Sequence, residues 1–564
     1  MMNFYDFKVF SHDWLVVIIN PVEKTKTVIV NDRGKLSDYY NRHKNEIWLG
    51  WNSSRYDTTI LKSILIGFNP KSISDHLIVD RMQEWQIDRK LGAIVINDYD
   101  VRYDKNISLK QVKGFKGLDI VETSVPFSID RKLTEEELSR TIEYCTNNVE
   151  KTMEIFMENK ADFDARLEII KRFNLPLNTI SLTKAKLIST IVRGRKKRLY
   201  DNDIFLPHNL KLGKYTYIKD WFLQNKQELN CEIAGVPHTI AWGGLHGARE
   251  KYNGEGMIIH LDVNQMYPHI MIRYELLSRA CRSPEKYKEI LDTSMQLKKY
   301  DAEKRKTYKD MSNIMYGAMR DEFNPLYDPR NAQLVCAYGQ LFMIDLIEKI
   351  EPFCELIQSN TDGIYVKIEK EDFNRLDDIV CEWEDRTGLS MDFKHFKKIV
   401  QKDVNNYVAL DVYGNIKAKG SHVKSNDLEI VNEAVIQCLI YNKNPYDTIM
   451  NCTDLRKFQK IVKLTDKFIT ACHNGRNIDG SVFRVFASRD IDDGAIGRKK
   501  DKYTSKNEKF PSTPAKCLIR NECVNGAKIP FKLDRWWYID MAEKRLKDYG
   551  KTVYINKQQE LELL

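Results

Sequence analysis

Residues 258–268 read Ile258-Ile259-His260-Leu261-Asp262-Val263-Asn264-Gln265-Met266-Tyr267-Pro268. The apolar run predicts a short buried strand that delivers one carboxylate, Asp262, before the chain turns at the tyrosine–proline pair. A strand that ends in an acid is one way in which a fold positions a metal ligand. We therefore expect Asp262 to lie in a functional site.

A second strand-like stretch follows about a hundred residues later and reads Leu356-Ile357-Gln358-Ser359-Asn360-Thr361-Asp362-Gly363-Ile364-Tyr365-Val366. Its Asp-Gly pair is a hairpin signal, which places Asp362 at a hairpin tip. Two carboxylates on neighbouring strand ends could hold two divalent cations about 3.5–4 Å apart. That arrangement stabilises the attacking and leaving oxygens of an in-line phosphoryl displacement.

A helical stretch lies between these two acids and reads Lys309-Asp310-Met311-Ser312-Asn313-Ile314-Met315-Tyr316-Gly317. In a helix, Lys309, Asn313 and Tyr316 share one face at positions i, i+4 and i+7. The chain is expected to break at Gly317. A basic side chain, an amide and an aromatic ring would then be presented together.

The three stretches, taken in order, resemble motifs A, B and C of family B DNA polymerases in their compact bacteriophage form. The shared patterns are Asp-x-x-x-x-Tyr-Pro, Lys-x-x-x-Asn-x-x-Tyr-Gly and Asn-Thr-Asp-Gly between strands. Each pattern alone would usually be only a loop, but their order makes the resemblance strong. It implies an α/β and α+β multidomain fold, with an RNase H-like exonuclease domain followed by a right-hand polymerase of palm, fingers and thumb.

The resemblance also implies a division of the chain into six segments. These are an exonuclease-like domain (1–165), a helical basic linker and palm entry (166–230), the first part of the palm (231–283), the fingers (284–345), the second part of the palm (346–424) and the thumb (425–564).

By the same resemblance, Asp262 and Asp362, helped by the Val263 carbonyl, bind two Mg²⁺ ions, for which Mn²⁺ is an alternative. Lys309 would contact the α- and γ-phosphates and could protonate pyrophosphate. The family has an aspartate at the first acidic position of motif C, and this chain has Asn360 there instead. We expect this amide to be tolerated with some loss of activity.

Further substrate contacts follow from the same motifs. Lys298 and Arg305 are candidates for the β- and γ-phosphates, as they lie roughly three turns and one turn before Lys309 if the helix is continuous. Tyr267 would sit beneath the sugar and exclude a 2′-hydroxyl. Asn313 and Tyr316 would line the pocket of the nascent base pair.

The amino-terminal segment resembles the proofreading exonuclease of the family, with four positions that decide its activity. Asp6, in a predicted strand, and Asp57, at a predicted helix start, match the family pattern, but Lys8 replaces a glutamate and Asn148 an aspartate. At an effective dielectric of about 20, a lysine about 4 Å from a divalent ion costs on the order of 8 kcal/mol. We therefore expect a vestigial site with little or no proofreading.

Other segments permit two interpretations each. The basic run 193–198 and the loop-rich basic segment 498–528 fit either solvated surface or contacts to the DNA backbone. The Gly-Gly element at 241–248 resembles a family loop that contacts template phosphates, with Trp242 and His246 as candidates. The stretch 405–410 resembles the primer-contact motif, with Lys402, Lys417 or Lys419 in place of the usual lysine.

Composition agrees with a nucleic-acid partner without requiring one. The 564 residues carry a formal net charge of +9, and the isoelectric point is near 8.7, which suits a polyanion. Eleven cysteines lack any C-x2-C pair, so a disulfide framework or zinc site is not indicated. We expect a monomer without a membrane span, in the cytoplasm, which would be the host cell's if the gene is a phage gene.

The predicted function is template-directed DNA synthesis on phage DNA, with primer–template DNA and dNTPs as partners and phage replisome proteins as further ones. The short interval between Asp262 and Lys309 lacks the insertion of the protein-primed subfamily, so a nucleic-acid primer is expected. The alternative is a catalytically inactive, DNA-binding replisome scaffold. A nuclease without polymerase activity is the least favoured possibility.

Overall fold

The computed structural model describes residues 2–123, 125–197, 199, 201, 203–501 and 507–553. The chain divides into two compact units. The first comprises Met1–Gly114, Asp119–Ile191 and Glu289–Met311, and the second comprises Phe115–Leu118, Val192–Lys288 and Ser312–Leu564.

The strands of the described residues are β1 (Met2–Val9), β2 (Trp14–Asn20), β3 (Thr25–Val30), β4 (Ile47–Gly50), β5 (Asp98–Asp100), β6 (Glu228–Ile233), β7 (Val236–Ala241), β8 (Gly244–Ala248), β9 (Asn253–Val263), β10 (Glu355–Asn360), β11 (Gly363–Ile368), β12 (Met391–Asp403), β13 (Asn406–Asp411), β14 (Ile416–Lys419), β15 (Lys460–Lys463), β16 (Thr470–His473), β17 (Arg476–Ile478), β18 (Val482–Ala487), β19 (Gly497–Lys499), β20 (Glu508–Lys509) and β21 (Cys517–Ile519).

The α-helices of the same residues are α1 (Arg33–His43), α2 (Asp57–Ile66), α3 (Pro70–Ile78), α4 (Glu84–Ile87), α5 (Leu109–Phe115), α6 (Glu135–Glu158), α7 (Lys160–Arg172), α8 (Lys184–Ile191), α9 (Thr216–Leu223), α10 (Met266–Arg273), α11 (Pro284–Leu297), α12 (Ala302–Arg320), α13 (Pro329–Ile350), α14 (Phe373–Thr387), α15 (Glu429–Tyr441), α16 (Pro445–Met450) and α17 (Arg535–Asp548). Within the described residues, none is both long enough and apolar enough to span a bilayer.

The first unit is built on a five-stranded sheet in the order β3-β2-β1-β4-β5. Strands β1, β2 and β3 pair antiparallel, whereas β4 and β5 add on parallel. Its core is apolar and aromatic: Trp48 is fully buried, and its ring meets those of Tyr5 and Tyr39 edge-on. Helix α6 begins at a capping box, in which Thr134 and Glu137 each bond the backbone N–H of the other.

The second unit is built on a nine-stranded antiparallel sheet in the order β14-β13-β12-β9-β11-β10-β8-β7-β6. The central strands β9 and β11 are buried along most of their length. Helix α13 is buried on nearly all sides and contacts α9, α10, α14, β6 and β8. Two smaller sheets, β15-β18-β21 and β17-β16-β19-β20, follow nearer the carboxyl end.

Several predicted elements are confirmed. The first two apolar runs form the paired strands β1 and β2, and Asp57 is the first residue of α2. Thr134 is the N-cap of α6, and the last helix, α17, has Asp534 as its N-cap. The mixed α and β character and the presence of more than one unit also agree with the predicted fold class.

One local prediction is wrong, and the condition attached to another is not met. Helix α12 does not break at Gly317 but continues to Arg320, because the cost of one glycine, about 1 kcal/mol, is small against the rest of a long helix. The helix is also not continuous back to Lys298, which lies in the turn between α11 and α12. The region 498–528 is loop-rich, as predicted, and its described residues include only the short strands β19, β20 and β21 as regular structure.

Two predicted basic segments are described only in part. Arg198 in the run 193–198 and residues 502–506 in the segment 498–528 lie outside the described residues. In the first run, the ammonium groups of Lys196 and Lys197 donate to the backbone carbonyls of Glu322 and Arg279. Both lysines are exposed, and the two interpretations of this run stay predictions.

Candidate active site

The two predicted metal-binding acids lie at the same end of adjacent strands in the second unit. Strands β9 and β11 pair antiparallel with Asp262 opposite Gly363. The backbone N–H of Val263 donates to the carbonyl of Asp362 at 2.8 Å. The register therefore brings together the backbones of two aspartates that are far apart in the sequence.

The hairpin tip differs in one detail from the prediction. Asn360 pairs with Gly363, so the two turn residues are Thr361 and Asp362, and Gly363 already belongs to β11. Thr361 has a φ of 37°, in the left-handed region, whereas Asp362 is not among the residues with a positive φ. The turn is thus a tight two-residue connection with Asp362 as its second residue.

The predicted glycine pair supports this turn. Gly244 has a φ of 149°, and a Cβ added there would lie 2.5 Å from Thr361 Oγ1. The N–H of Thr361 donates to the carbonyl of Leu245 at 2.8 Å. A larger residue at position 244 would therefore clash with the Thr361 side chain in the turn that carries Asp362. His246 is exposed and hydrogen-bonds Asn360 through its side chain.

A lysine that the sequence analysis did not identify contacts Asp262. Lys394 Nζ lies 3.0 Å from Asp262 Oδ2, and the two side chains are 49% and 33% exposed. Strand β12 pairs with β9 so that Lys394 is opposite His260. No local pattern in the long strand 391–403 distinguishes this lysine from its neighbours, because the contact depends on the strand order.

A cluster of rings and one cation lies beside the two acids. The ring of His260 stacks on that of Tyr365 at 4.2 Å, and Lys417 Nζ donates to the Tyr365 hydroxyl at 2.8 Å. Burial lowers the pKa of Lys417 to about 8, a shift that Lys394 increases and that the negative charges of Asp262 and Asp362 oppose. Lys417, named above as a possible primer contact, is thus half-buried.

Tyr267 lies in a tight pocket. Its ring is 4.5 Å from that of Tyr316, and its hydroxyl donates to Cys336 Sγ at 3.7 Å. A Cβ at Gly339 would come within 3.0 Å of the Tyr267 ring, so glycine is needed there. Burial raises the pKa of Tyr267, which keeps the phenol neutral. Asn313, on the same helix as Tyr316, is exposed.

The predicted phosphate-binding residues belong to the first unit. Lys309 and Arg305 lie on α12 and are partly exposed, whereas Lys298 lies in the preceding turn and is exposed. The Nε of Arg305 is buried and has no hydrogen-bond acceptor among the described residues. Next to Lys309 in the sequence, Asp310 forms an ion pair with Lys184 at 2.7 Å.

The exonuclease-like residues also converge, within the first unit. Lys8 Nζ lies 2.6 Å from Asp6 Oδ2, and the lysine side chain is only 12% exposed. Asn148 Nδ2 donates to the same oxygen at 3.3 Å. The N–H of Phe7 donates to Asp57 Oδ1 at 2.8 Å, and burial followed by repulsion from Asp6 raises the pKa of Asp57.

Asp98 is a further buried acid of the first unit that sequence reasoning missed. It accepts a hydrogen bond from the Tyr5 hydroxyl at 3.0 Å. Burial raises the pKa of Asp98 to about 7 from an ordinary value of 3.8. The short strand β5 that carries Asp98 offers little apolar pattern, so the sequence gives no sign of this burial.

Comparisons with known proteins add the following findings. No protein-family model matches the sequence, and no curated protein matches it. Among solved structures, the chain is similar to the family B DNA polymerase from the hyperthermophilic archaeon Pyrobaculum calidifontis. The two are 13% identical, and the alignment covers 99% of this chain and 78% of the other, with a TM-score of 0.47.

Proposed function

We propose that the chain is a template-directed DNA polymerase of the family B type that adds dNTPs to a primer 3′-hydroxyl. The observation that carries this proposal is the register of β9 against β11, which brings Asp262 and Asp362 to one strand end. The three motifs resembling those of the family lie on a strand end, a helix and a hairpin tip, which are the elements that the resemblance requires.

The donor set at this strand end fits a pair of Mg²⁺ ions, or Mn²⁺ in their place. Carboxylate and carbonyl oxygens are the ligands that these hard cations prefer, and Asp262, Asp362 and the Val263 carbonyl supply them. The ion pair between Asp262 and Lys394 involves a half-exposed lysine, which can rotate away. When bound, the ions would lower the pKa of the primer hydroxyl and neutralise the departing pyrophosphate.

The chain's own residues would then select and orient the substrate. Tyr267, held in place by Tyr316 and Gly339, would exclude a 2′-hydroxyl by its volume. Asn313 and Tyr316 would line the base-pair pocket, while base identity comes from the template. Lys309, with Arg305 and Lys298 as further candidates, would bind the triphosphate as fixed positive charges.

Weak or absent proofreading is part of the same proposal. Lys8 already neutralises Asp6, and Asn148 donates an N–H to the oxygen on which a cation would bind. A divalent ion at Asp6 would have to displace a buried ammonium group. We further propose that the enzyme replicates phage DNA, as a monomer, in the host cytoplasm.

Primer extension tests the proposal. Wild-type protein is incubated with a recessed primer–template, Mg²⁺ and dNTPs, and the products are sized. Elongation supports the polymerase, and DNA binding without elongation would instead support the inactive scaffold suggested by Asn360. Shortening of the primer would indicate a nuclease and would contradict both the polymerase and the vestigial exonuclease site.

A further inference from the structure

A second cluster of ligating side chains lies in the first unit, away from Asp6. Glu23, His43 and Glu46 place one ligand atom each within 4.8 Å of the others, and they are the one such group of three or more His, Cys, Asp or Glu residues within the described chain. Glu46 directly precedes Ile47, which pairs with Met2. Asp6 is four residues further along β1, roughly 13 Å away.

We propose that Glu23, His43 and Glu46 form a binding site for a divalent transition-metal ion, best suited to Zn²⁺. One imidazole nitrogen and two carboxylates are a donor set typical of zinc, with water completing the tetrahedron. An imidazole ligand disfavours Mg²⁺ and Ca²⁺, which prefer oxygen donors. The site does not depend on the polymerase proposal.

The imidazole of His43 provides the observation that points to a ligand. The residue is 7% exposed, and its buried Nδ1 has no hydrogen-bond partner among the described residues. Nδ1 nevertheless lies 3.2 Å from Glu46 Oε2. Two ligands of a tetrahedral zinc ion with bonds of about 2.0–2.1 Å are roughly 3.3 Å apart, so this separation already suits a shared ion.

The surroundings hold these two ligands in place. The His43 ring stacks on Tyr39 at 4.3 Å, and Asn3 Nδ2 donates to Glu46 Oε2 at 2.9 Å. The N–H of Glu46 donates to the carbonyl of His43 at 3.0 Å, which closes the turn between them. Little rearrangement of His43 and Glu46 would be needed on binding.

The local charge also favours a cation. His43 is the last residue of α1, and the carboxyl end of a helix carries a partial negative charge. Among the described residues, no lysine or arginine forms an ion pair with Glu23 or Glu46.

Glu23 would complete the site by a side-chain rotation. It is exposed and lies on the turn between β2 and β3, where Asn20 Oδ1 accepts the N–H groups of Val22 and Glu23 at 3.1 Å each. A bound ion would therefore tie the β2–β3 turn to the α1–β4 turn. Its expected role is structural.

The test uses the full chain after treatment with EDTA, with Zn²⁺ as the probe and a chromophoric chelator as competitor, in excess Mg²⁺. Wild type is expected to bind one more zinc ion than Glu23→Gln and His43→Gln, or to bind it at least about 10-fold more tightly. Glu135→Gln and His76→Gln are the matched controls and should bind as wild type. Zinc should also raise the Tm of wild type but not that of Glu23→Gln.

Two results would overturn the site. One is equal zinc binding by wild type and Glu23→Gln, which would show that His43 and Glu46 form only an ion pair. The other is the absence of any zinc-dependent rise in Tm in the wild type. Since Glu23 is exposed, its variant should fold, and it decides the question even if His43→Gln is unstable.

Discussion

The two candidate catalytic centres each contain an aspartate in contact with a lysine, but the lysines differ in burial. Lys394 is 49% exposed where it meets Asp262. Lys8 is 12% exposed where it meets Asp6, and its ammonium group also lies over the Tyr144 ring at 5.4 Å from the centroid. The side-chain amide of Asn148 also donates to the same Asp6 oxygen.

The comparison shows that a lysine beside an acid does not by itself empty a metal site. An exposed ammonium group is strongly hydrated in water and can leave its partner at little cost. A buried ammonium group has no water to replace its aspartate partner. If the two separate, both charges are left buried and unpaired. In line with this, interaction with Asp6 raises the pKa of Lys8 despite its burial.

The largest expected effect is at the polymerase-like centre. Under the proposed function, Asp362→Asn should lower primer extension by on the order of 10³-fold or more, since it would remove a metal ligand and with it several kcal/mol of transition-state stabilisation. DNA binding, measured by fluorescence anisotropy, should stay near the wild-type value. Asp377→Asn, at an exposed position of α14, is the control, and equal extension by both variants would remove Asp362 from the site.

At the exonuclease-like centre, the double change Lys8→Glu with Asn148→Asp should create excision where wild type shows little. It restores two carboxylates beside Asp6 and Asp57, and a gain of roughly 10²-fold is expected. The measurement is the shortening of a 3′-mismatched primer. The control is Lys26→Glu with Asn106→Asp, which makes the same charge change at exposed positions and should not change excision. Adding Asp57→Asn to the first double variant should abolish the gain in excision.

Asp98 gives a pH-dependent stability effect of intermediate size. Because its pKa is raised to about 7 in the folded state, the stability that it contributes is present at low pH and is lost as pH rises through 7. Between pH 5 and 8, wild type should lose about 3 kcal/mol relative to Asp98→Asn. Urea denaturation at each pH measures this difference in stability. Asp38→Asn, at an exposed position, is the control. Parallel pH profiles of wild type and Asp98→Asn would contradict the raised pKa of Asp98.

The smallest effect is expected at Lys394. Lys394→Met removes a positive charge beside Asp262, so the Mg²⁺ concentration for half-maximal extension should fall by about 2- to 5-fold. Lys397→Met, an exposed position on the same strand, should leave it unchanged. A higher Mg²⁺ requirement in Lys394→Met would mean that the lysine helps to position Asp262 instead of competing for it.

Most of the local structure around Asp262 and Asp362, and the start of helix α6, follows from sequence patterns. The apolar run before Asp262, the turn at Asp362 and the capping box at Thr134 are short-range signals, and the structure contains the expected strands and helix. Contacts that depend on strand order could not be predicted in this way. Lys394 reaches Asp262 only because β12 pairs with β9.

The wrong prediction and the features that were not predicted have related causes. At Gly317 a weak helix-breaking preference was overridden by the helix on both sides. In the region 498–528, the strands are only two or three residues long, too short for an alternating pattern to be visible. The cluster of Glu23, His43 and Glu46 combines a turn with the end of a helix, and no spacing in the sequence indicates it.

The most direct test of the central claim is a crystal structure of the protein with primer–template DNA, an incoming dNTP and Mn²⁺, in which anomalous scattering locates the ions. The account predicts two anomalous peaks about 3.5–4 Å apart, with carboxylate oxygens of both Asp262 and Asp362 as ligands. The account would be contradicted by anomalous peaks that contact neither aspartate. It would also be contradicted by a bound nucleotide with only one of the two aspartates near a metal ion.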